Sequence, residues 1–266
     1  MMIRSRTEKI EFIFSTNEIG APKEVRIGSA DFTFQDLEST IAPAEAFIQI
    51  SKILKELNIR DAFVYPVKKS SSAMMLKKIQ REKNWGRIET AELSFQYGLV
   101  GSCDHCFVSI KEKTPHAAGD WEKWAHPFIK MDGFVQGWVV DVDYNYWQNA
   151  KDTLQYKTAG RDYSQLPMKS NGKPPPVQRM IIDTSGNPGR WVFREGYIEA
   201  VGAVMWLSDL FWDRVGREHE RRVQSAEWVR KSEPEKGVME IRVADRCFVS
   251  DETADLQNRL RALLYE

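Results

Sequence analysis

Hydrophobic residues recur along this chain at two spacings, which predict a mixture of strands and helices. Alternate apolar positions over residues 9–15 and a dense apolar run over residues 134–146 predict strands, the second being the clearest central strand. Apolar residues three and four positions apart predict helices over residues 43–57, 71–83 and 254–264. We therefore predict a mixed α+β fold, in which helices pack on a central, largely antiparallel β-sheet.

The segment 187–216 is the most densely aromatic part of the chain and contains Trp191, Trp206 and Trp212. Its apolar residues recur at helical spacing: Ile198, Val201, Val204, Met205, Phe211, Trp212 and Val215. This pattern predicts a buried, tryptophan-rich helix near residues 197–215. Acidic residues interrupt the apolar run, which is shorter than the ~20 residues of a membrane-spanning helix. We therefore expect a core helix and no membrane association.

The length of 266 residues is compatible with a single domain over residues 1–266. The stretch Asn171-Gly172-Lys173-Pro174-Pro175-Pro176 is rich in turn-forming residues and predicts a loop excursion near residues 161–178. Two interpretations stay open for this excursion. It is either an exposed loop of one domain or a boundary that subdivides the chain.

The net charge, the N-terminal segment and the cysteine count indicate which partners and which cellular compartment to expect. Lysine plus arginine equals aspartate plus glutamate at 38 each, so no global basic field favours direct nucleic-acid binding. The N-terminal segment MMIRSRTEKIEFIF lacks the apolar core of a secretory signal. Three cysteines, an odd number, favour a reducing compartment over a disulfide framework. We predict a cytoplasmic protein.

Cys103 and Cys106 form a CxxC pair, which occurs in redox proteins and in half of many zinc sites. The other candidate ligands form no second pair at metal-binding spacing: His105, His116, His126, His219 and Cys247. Phosphate-binding glycine loops and a GxSxG elbow are also missing from the sequence. We interpret the thiols as buried in a strand pair and predict no catalytic residue, metal or cofactor. A metal- or thiol-dependent enzyme centred on Cys103 and Cys106 stays the alternative.

Several motifs between residues 130 and 216 resemble a known family. They are Gly137-Trp138, the turn Asn187-Pro188-Gly189-Arg190, and the run 196–202 that continues into Met205-Trp206-Leu207 and Phe211-Trp212. With these motifs the chain resembles immunity family 52 of the bacterial polymorphic-toxin systems. The resemblance implies a non-enzymatic, cytoplasmic immunity protein associated with type VI secretion. Its partner would be a restriction-endonuclease-like nuclease toxin, which it binds and neutralises.

An inhibitor of a basic nuclease surface needs carboxylates and aromatic anchors on a rigid scaffold. Asp141 and Asp143 lie two positions apart in the predicted strand 134–146 and therefore on one face of the sheet, beside Tyr144 and Tyr146. We take them as candidate partner-binding residues. The more ordinary interpretation is a strand end that leaves the core.

Two further groups complete the candidate partner-binding set. Glu199, Asp209 and Asp213 interrupt the tryptophan-rich segment, and their ordinary interpretation is a solvated face with an Asp213–Arg217 helix pair. Trp121 and Trp124 lie in a predicted loop, and they equally fit a role in fixing that loop to the core. A homodimer that uses the tryptophan-rich segment is a further alternative.

Overall fold

A computed structural model describes residues 6–27, 30–60, 62–65 and 68–266 of the chain. Residues 1–5, the start of the N-terminal segment considered above, lie outside the described residues. The strands are β1 (Glu8–Ile27), β2 (Ala30–Ser39), β3 (Phe63–Tyr65), β4 (Lys68–Ser70), β5 (Arg87–Glu89), β6 (Leu93–Val100), β7 (His105–Glu112), β8 (Phe134–Asp141), β9 (Met168–Ser170), β10 (Met180–Ile182), β11 (Val192–Arg194), β12 (Tyr197–Glu199), β13 (Val204–Ser208), β14 (Arg230–Glu235) and β15 (Val238–Arg242). The helices are α1 (Pro43–Glu56), α2 (Ser72–Glu82), α3 (Trp121–Phe128), α4 (Val142–Asn149), α5 (Thr153–Thr158), α6 (Asp209–Val215), α7 (Arg217–Ser225) and α8 (Ala254–Tyr265), with short 3-10 turns at Gly101–Cys103 and Asp251–Thr253.

One large sheet organises the described part of the chain, in the strand order β14-β15-β13-β8-β1-β7-β6-β5-β3-β4, with β2 paired to the second half of β1. Every pairing in it is antiparallel, and β1 lies near the centre, where Phe12 is opposite Val108 on one side and Gly137 on the other. The predicted α+β class with a central antiparallel sheet is confirmed. The helices predicted over 43–57, 71–83 and 254–264 are also confirmed.

Helices cover both faces of the large sheet. On one face Phe12 and Phe14 of β1 pack in a cluster with residues of α1, α2 and α3, such as Phe47 and Phe128. On the other face Ile13 belongs to a second cluster with α6, α7 and α8. Alternate residues of β1 are therefore buried on opposite faces, as expected for a strand in a covered sheet. No helix in the described residues is long and apolar enough to cross a membrane.

The tryptophan-rich segment is buried as predicted, but only its second half is helical. Residues 197–199 and 204–208 are strands, and the helix α6 begins at Asp209. Met205 and Leu207 belong to the core cluster on one face of the sheet, whereas Trp206 belongs to the cluster on the other. A strand buried on both faces is apolar at every position, so its period of two is hidden and it resembles a buried helix. The prediction of helix before residue 209 was wrong for this reason.

The predicted strand 134–146 ends at Asp141, where α4 begins. The Asp141 carboxylate accepts a hydrogen bond from the Tyr144 backbone N–H at 2.8 Å, which is the geometry of a helix N-cap. Asp143 is therefore in the first turn of a helix. The expectation that Asp141 and Asp143 share one face of a strand was wrong.

The predicted excursion contains a small hairpin of its own. Strands β9 and β10 pair antiparallel, and almost all residues of 161–178 are exposed. Ile182 anchors the hairpin in a small apolar cluster with Ala150 and Tyr156. The segment is thus an exposed hairpin attached to the helices α4 and α5.

Candidate functional site

A groove of about 650 Å³ lies between the helices α6 and α7 and the hairpin β14–β15. We call it the acidic groove. Its lining residues are Asp209, Trp212, Glu220, Gln224, Lys231, Ser232, Glu233, Lys236, Gly237, Val238 and Met239. Trp212 and Val238 are buried and Met239 is half-buried, so they form an apolar floor, whereas the charged residues form the rim.

Three carboxylates of this surface converge on one guanidinium group. Arg217 contacts Asp209 at 2.8 Å, Asp213 at 2.7 Å and Glu220 at 3.0 Å. These hydrogen bonds raise the pKa of Arg217 above its ordinary value, so the guanidinium stays charged. The predicted Asp213–Arg217 ion pair is present, but the prediction of one helix was wrong, because the pair joins α6 to α7 across the break at Gly216. Arg217 neutralises one of these three negative charges. The groove lining adds the carboxylate of Glu233 and the cations Lys231 and Lys236, so four carboxylates face three cations and a net negative charge remains.

Hydrogen bonds hold the hairpin wall of the acidic groove against the helices. The Asp209 N–H donates to the Gly237 carbonyl at 2.9 Å, and the Gly237 N–H donates to Glu233 at 3.0 Å. Lys231 Nζ donates to the carbonyl oxygens of Gln224 at 2.8 Å and Ala226 at 2.9 Å, at the end of α7. The groove is therefore preformed, and Lys231 is directed to the helix end.

Gly237 is needed at the turn of this hairpin. Its φ of +74° lies in the left-handed region, and a Cβ atom there would lie 2.5 Å from Asp209 Oδ2. A larger residue would strain the turn and displace the Asp209 carboxylate. The glycine thus brings the hairpin close to α6.

The candidate residues on α4 lie elsewhere and are not part of the acidic groove. Asp141 is 3% exposed, and burial raises the pKa of its carboxyl. Asp143 is exposed and accepts a hydrogen bond from Trp147 Nε1 at 3.1 Å. Tyr144 bonds through its hydroxyl to Gln257 of α8, and Tyr146 is exposed beside Trp147. Asp141 and Tyr144 thus have structural partners, whereas Asp143 and Tyr146 are accessible.

Trp121 and Trp124 lie on the helix α3, not on the predicted loop. Trp124 is fully buried and donates to the Ala118 carbonyl at 2.9 Å. Trp121 is half-buried and donates to Glu8 at 2.7 Å. The structure therefore gives both side chains the alternative role, which is to fix this segment to the core.

Glu199 is the third acidic candidate of the tryptophan-rich segment and lies on β12, away from Asp209 and Asp213. Its carboxylate contacts Arg194 at 2.5 Å, and it lies 4.0 Å from the buried Arg261. Glu199 is half-buried and already balanced by these two cations. It does not contribute to the acidic groove.

The two thiols of the CxxC motif occupy different environments. Cys103 lies in the short turn before β7, whereas Cys106 is fully buried in β7, where burial raises the pKa of its thiol. His105 between them is also buried, and its Nδ1 contacts the Cys103 carbonyl oxygen at 3.0 Å. No group of three or more potential metal ligands occurs in the part of the chain that the structure describes. The predicted burial of the thiols in a strand pair is confirmed for Cys106. It was wrong for Cys103, which is only half-buried and lies in the turn that joins the two strands.

The sequence indicated Asp209, which lines the acidic groove, and Asp213 beside it, but not the other residues of the groove. Glu220 and Glu233 are not among the candidate residues that the sequence indicates. The local signal near Glu233 is the Lys236-Gly237 turn before the β-forming segment Val238–Arg242, whereas the charged segment Arg230–Glu235 before the turn gives no strand signal. Contact of this hairpin with α6 is a tertiary property that no local pattern contains.

No protein family, curated protein or solved structure matches this chain.

Proposed function

We propose that this protein is an immunity protein that binds and neutralises a nuclease toxin, and that the acidic groove holds basic residues of that toxin. Nucleases that bind a phosphate backbone carry lysine and arginine at their active sites. Three carboxylates, those of Asp209, Asp213 and Glu220, surround the single guanidinium of Arg217. Basic residues of the toxin therefore meet more negative charge than Arg217 neutralises. This excess negative charge is the observation that carries the proposal.

Apolar residues near these carboxylates support the same proposal. Leu210 is 39% exposed and lies next to Asp209 on α6, and Trp212 and Met239 form part of the groove floor. Protein interfaces combine apolar or aromatic anchors at the centre with charged residues at the rim. A partner that places an arginine or lysine stem over the floor would bury its methylene groups while its charge meets the carboxylates.

The fixed hairpin wall favours a stable complex. Binding is weakened when loops must be ordered on association, and the contacts of Gly237 and Lys231 already order this wall. We infer direct binding by charge complementarity, which speeds association with a basic partner and weakens as salt rises. The resemblance to immunity family 52 suggests this class of partner, and the negative charge around the acidic groove supports it.

The decisive experiment combines survival with complex formation. The chain is co-expressed with the toxin gene encoded beside it, and host survival and a co-purified complex are scored. The test variant Asp209→Asn, Asp213→Asn, Glu220→Gln removes two charges that line the acidic groove and the charge of Asp213 beside it, and it keeps side-chain size. We expect this variant to lose rescue and to bind at least about tenfold more weakly, because three charge pairs are removed.

The matched control is Glu56→Gln, Glu92→Gln, Glu195→Gln, which removes the same charge at exposed positions outside the acidic groove. We expect the control to rescue like the unmodified protein. Equal loss in the control would show that net charge matters, not the groove. Full rescue and unchanged affinity in the test variant would contradict the proposed location.

A further inference from the structure

A second groove, of about 710 Å³, lies between the start of α5 and the exposed hairpin β9–β10. We call it the basic groove. Its lining residues are Asn149, Lys151, Asp152, Gln155, Asn171, Lys173, Pro176, Val177, Gln178, Arg179 and Ile181. It shares no residue with the acidic groove, and its charge is opposite.

The positive charge of the basic groove is only partly compensated. Lys151, Lys173 and Arg179 line it together with a single carboxylate, Asp152. Asp152 is already engaged, since it caps the first turn of α5 and contacts Arg179 at 3.1 Å. Lys151 and Lys173 are exposed and form no ion pair with any residue that the structure describes. Two cations are therefore free to bind an anionic ligand.

The walls of the basic groove are held in place by specific contacts. The Asn171 side chain accepts from the backbone N–H groups of Lys173 and Arg179, both at 3.2 Å, and donates to the Val177 carbonyl at 2.9 Å. The Ile182 N–H donates to the Lys151 carbonyl at 2.9 Å, which joins the hairpin to the start of α5. A ligand thus meets a preformed surface and orders little of it on binding.

The apolar part of the basic groove is aliphatic. Val177 is 56% exposed and Ile181 is half-buried, and no aromatic ring lines the groove among the described residues. Proteins that bind single-stranded nucleic acids stack bases on aromatic side chains. The combination of cations, amide groups and aliphatic residues instead suits a peptide that carries both carboxylates and aliphatic side chains.

We propose that the basic groove binds an acidic, extended peptide segment of a partner protein. Carboxylates of the segment pair with Lys151 and Lys173, and aliphatic side chains of the segment contact Val177 and Ile181. The amide group of Gln178 is available for backbone hydrogen bonds of the peptide. This site is independent of the toxin-binding proposal, because it uses a different surface and the opposite charge.

The test measures, by fluorescence anisotropy, the binding of a fluorescein-labelled ten-residue peptide of alternating glutamate and leucine to the 266-residue protein. The variant Lys151→Glu, Lys173→Glu replaces the two unpaired cations. We expect it to bind the peptide at least about tenfold more weakly, because two attractive contacts become repulsive. Lys151→Gln, Lys173→Gln should give an intermediate loss, which separates lost attraction from added repulsion.

The matched control is Lys52→Glu, Lys77→Glu, which makes the same change of net charge at exposed positions on α1 and α2. The control and the acidic-groove variant Asp209→Asn, Asp213→Asn, Glu220→Gln should both bind the peptide like the unmodified protein. Equal loss in the lysine control would overturn the proposal, as would absence of binding by the unmodified protein. Tighter binding of a ten-nucleotide single-stranded DNA than of the peptide would replace the peptide with a nucleic acid and would also overturn it.

Discussion

Substitution of Asp141 distinguishes a structural role of this residue from a role in partner binding, because its carboxylate is buried and caps α4. It accepts the Tyr144 N–H at 2.8 Å, and Arg6 lies 3.9 Å away on the exposed side. Removing an N-cap acceptor costs about 0.5–2 kcal/mol, whereas asparagine caps as well as aspartate. We therefore expect Asp141→Ala to lower the free energy of unfolding by about 1 kcal/mol, or Tm by about 2–4 °C. Asp141→Asn should be close to neutral.

The pH dependence of the free energy of unfolding tests the structural role of Asp141 a second time. Burial raises the pKa of Asp141 in the folded protein, so the folded state favours the protonated carboxyl. Relative to Asp141→Asn, the unmodified protein should be most stable below about pH 4, near the unfolded pKa. That advantage should be lost as pH rises through the folded-state pKa. Urea unfolding between pH 4 and 7 measures the difference. Equal stability of Asp141→Ala and the unmodified protein would refute the assignment of Asp141 as the buried N-cap of α4. A stability advantage of the unmodified protein over Asp141→Asn that grows with pH would also refute it.

Four further changes test other parts of the structure. Trp206→Ala empties a fully buried site and should cost about 3–5 kcal/mol in urea unfolding, and a loss below 1 kcal/mol would show that this strand is not in the core. Gly237→Ala forces a left-handed turn on alanine and should lower stability by about 1–2 kcal/mol, whereas an unchanged Tm would contradict the close contact with Asp209. Arg217→Gln breaks exposed ion pairs worth about 0–1 kcal/mol each, so the free energy of unfolding should change little. Toxin affinity should rise, because the carboxylates lose their neutralising cation. Weaker toxin binding would instead place Arg217 itself in the interface. Chelation with EDTA should leave the Tm unchanged. If the unmodified protein contained stoichiometric zinc, and Cys106→Ser lost both the zinc and the fold, this result would favour the metal- or thiol-dependent enzyme.

The fold class and the surface helices follow from local periodicity, which is why α1, α2 and α8 could be predicted. The strand β13 could not, because burial on both faces of the sheet removes the polar positions that reveal a period of two. Asp141 illustrates a second limit. An aspartate after an apolar run fits a strand end and a helix N-cap equally well, and only the following turn of α4 distinguishes them.

The candidate site was predictable only in part, for a related reason. The spacing of Asp209 and Asp213 places them on one face of α6, so this part followed from sequence. Arg217 belongs to α7 and reaches both carboxylates across the break at Gly216, which the spacing does not reveal. Glu233 and Met239 reach the same groove through the hairpin β14–β15, which approaches α6 at the Gly237 turn. Such contacts depend on how distant elements pack, and sequence patterns do not contain that information.

Binding of the adjacently encoded toxin tests the central proposal most directly. The purified toxin is titrated into the unmodified 266-residue protein, and into the variant Asp209→Asn, Asp213→Asn, Glu220→Gln, at low and at high salt. We expect the unmodified protein to form a stable complex that abolishes nuclease activity and weakens with salt, and the variant to bind at least about tenfold more weakly. Absence of a complex between the folded protein and an active toxin would contradict the proposed immunity function.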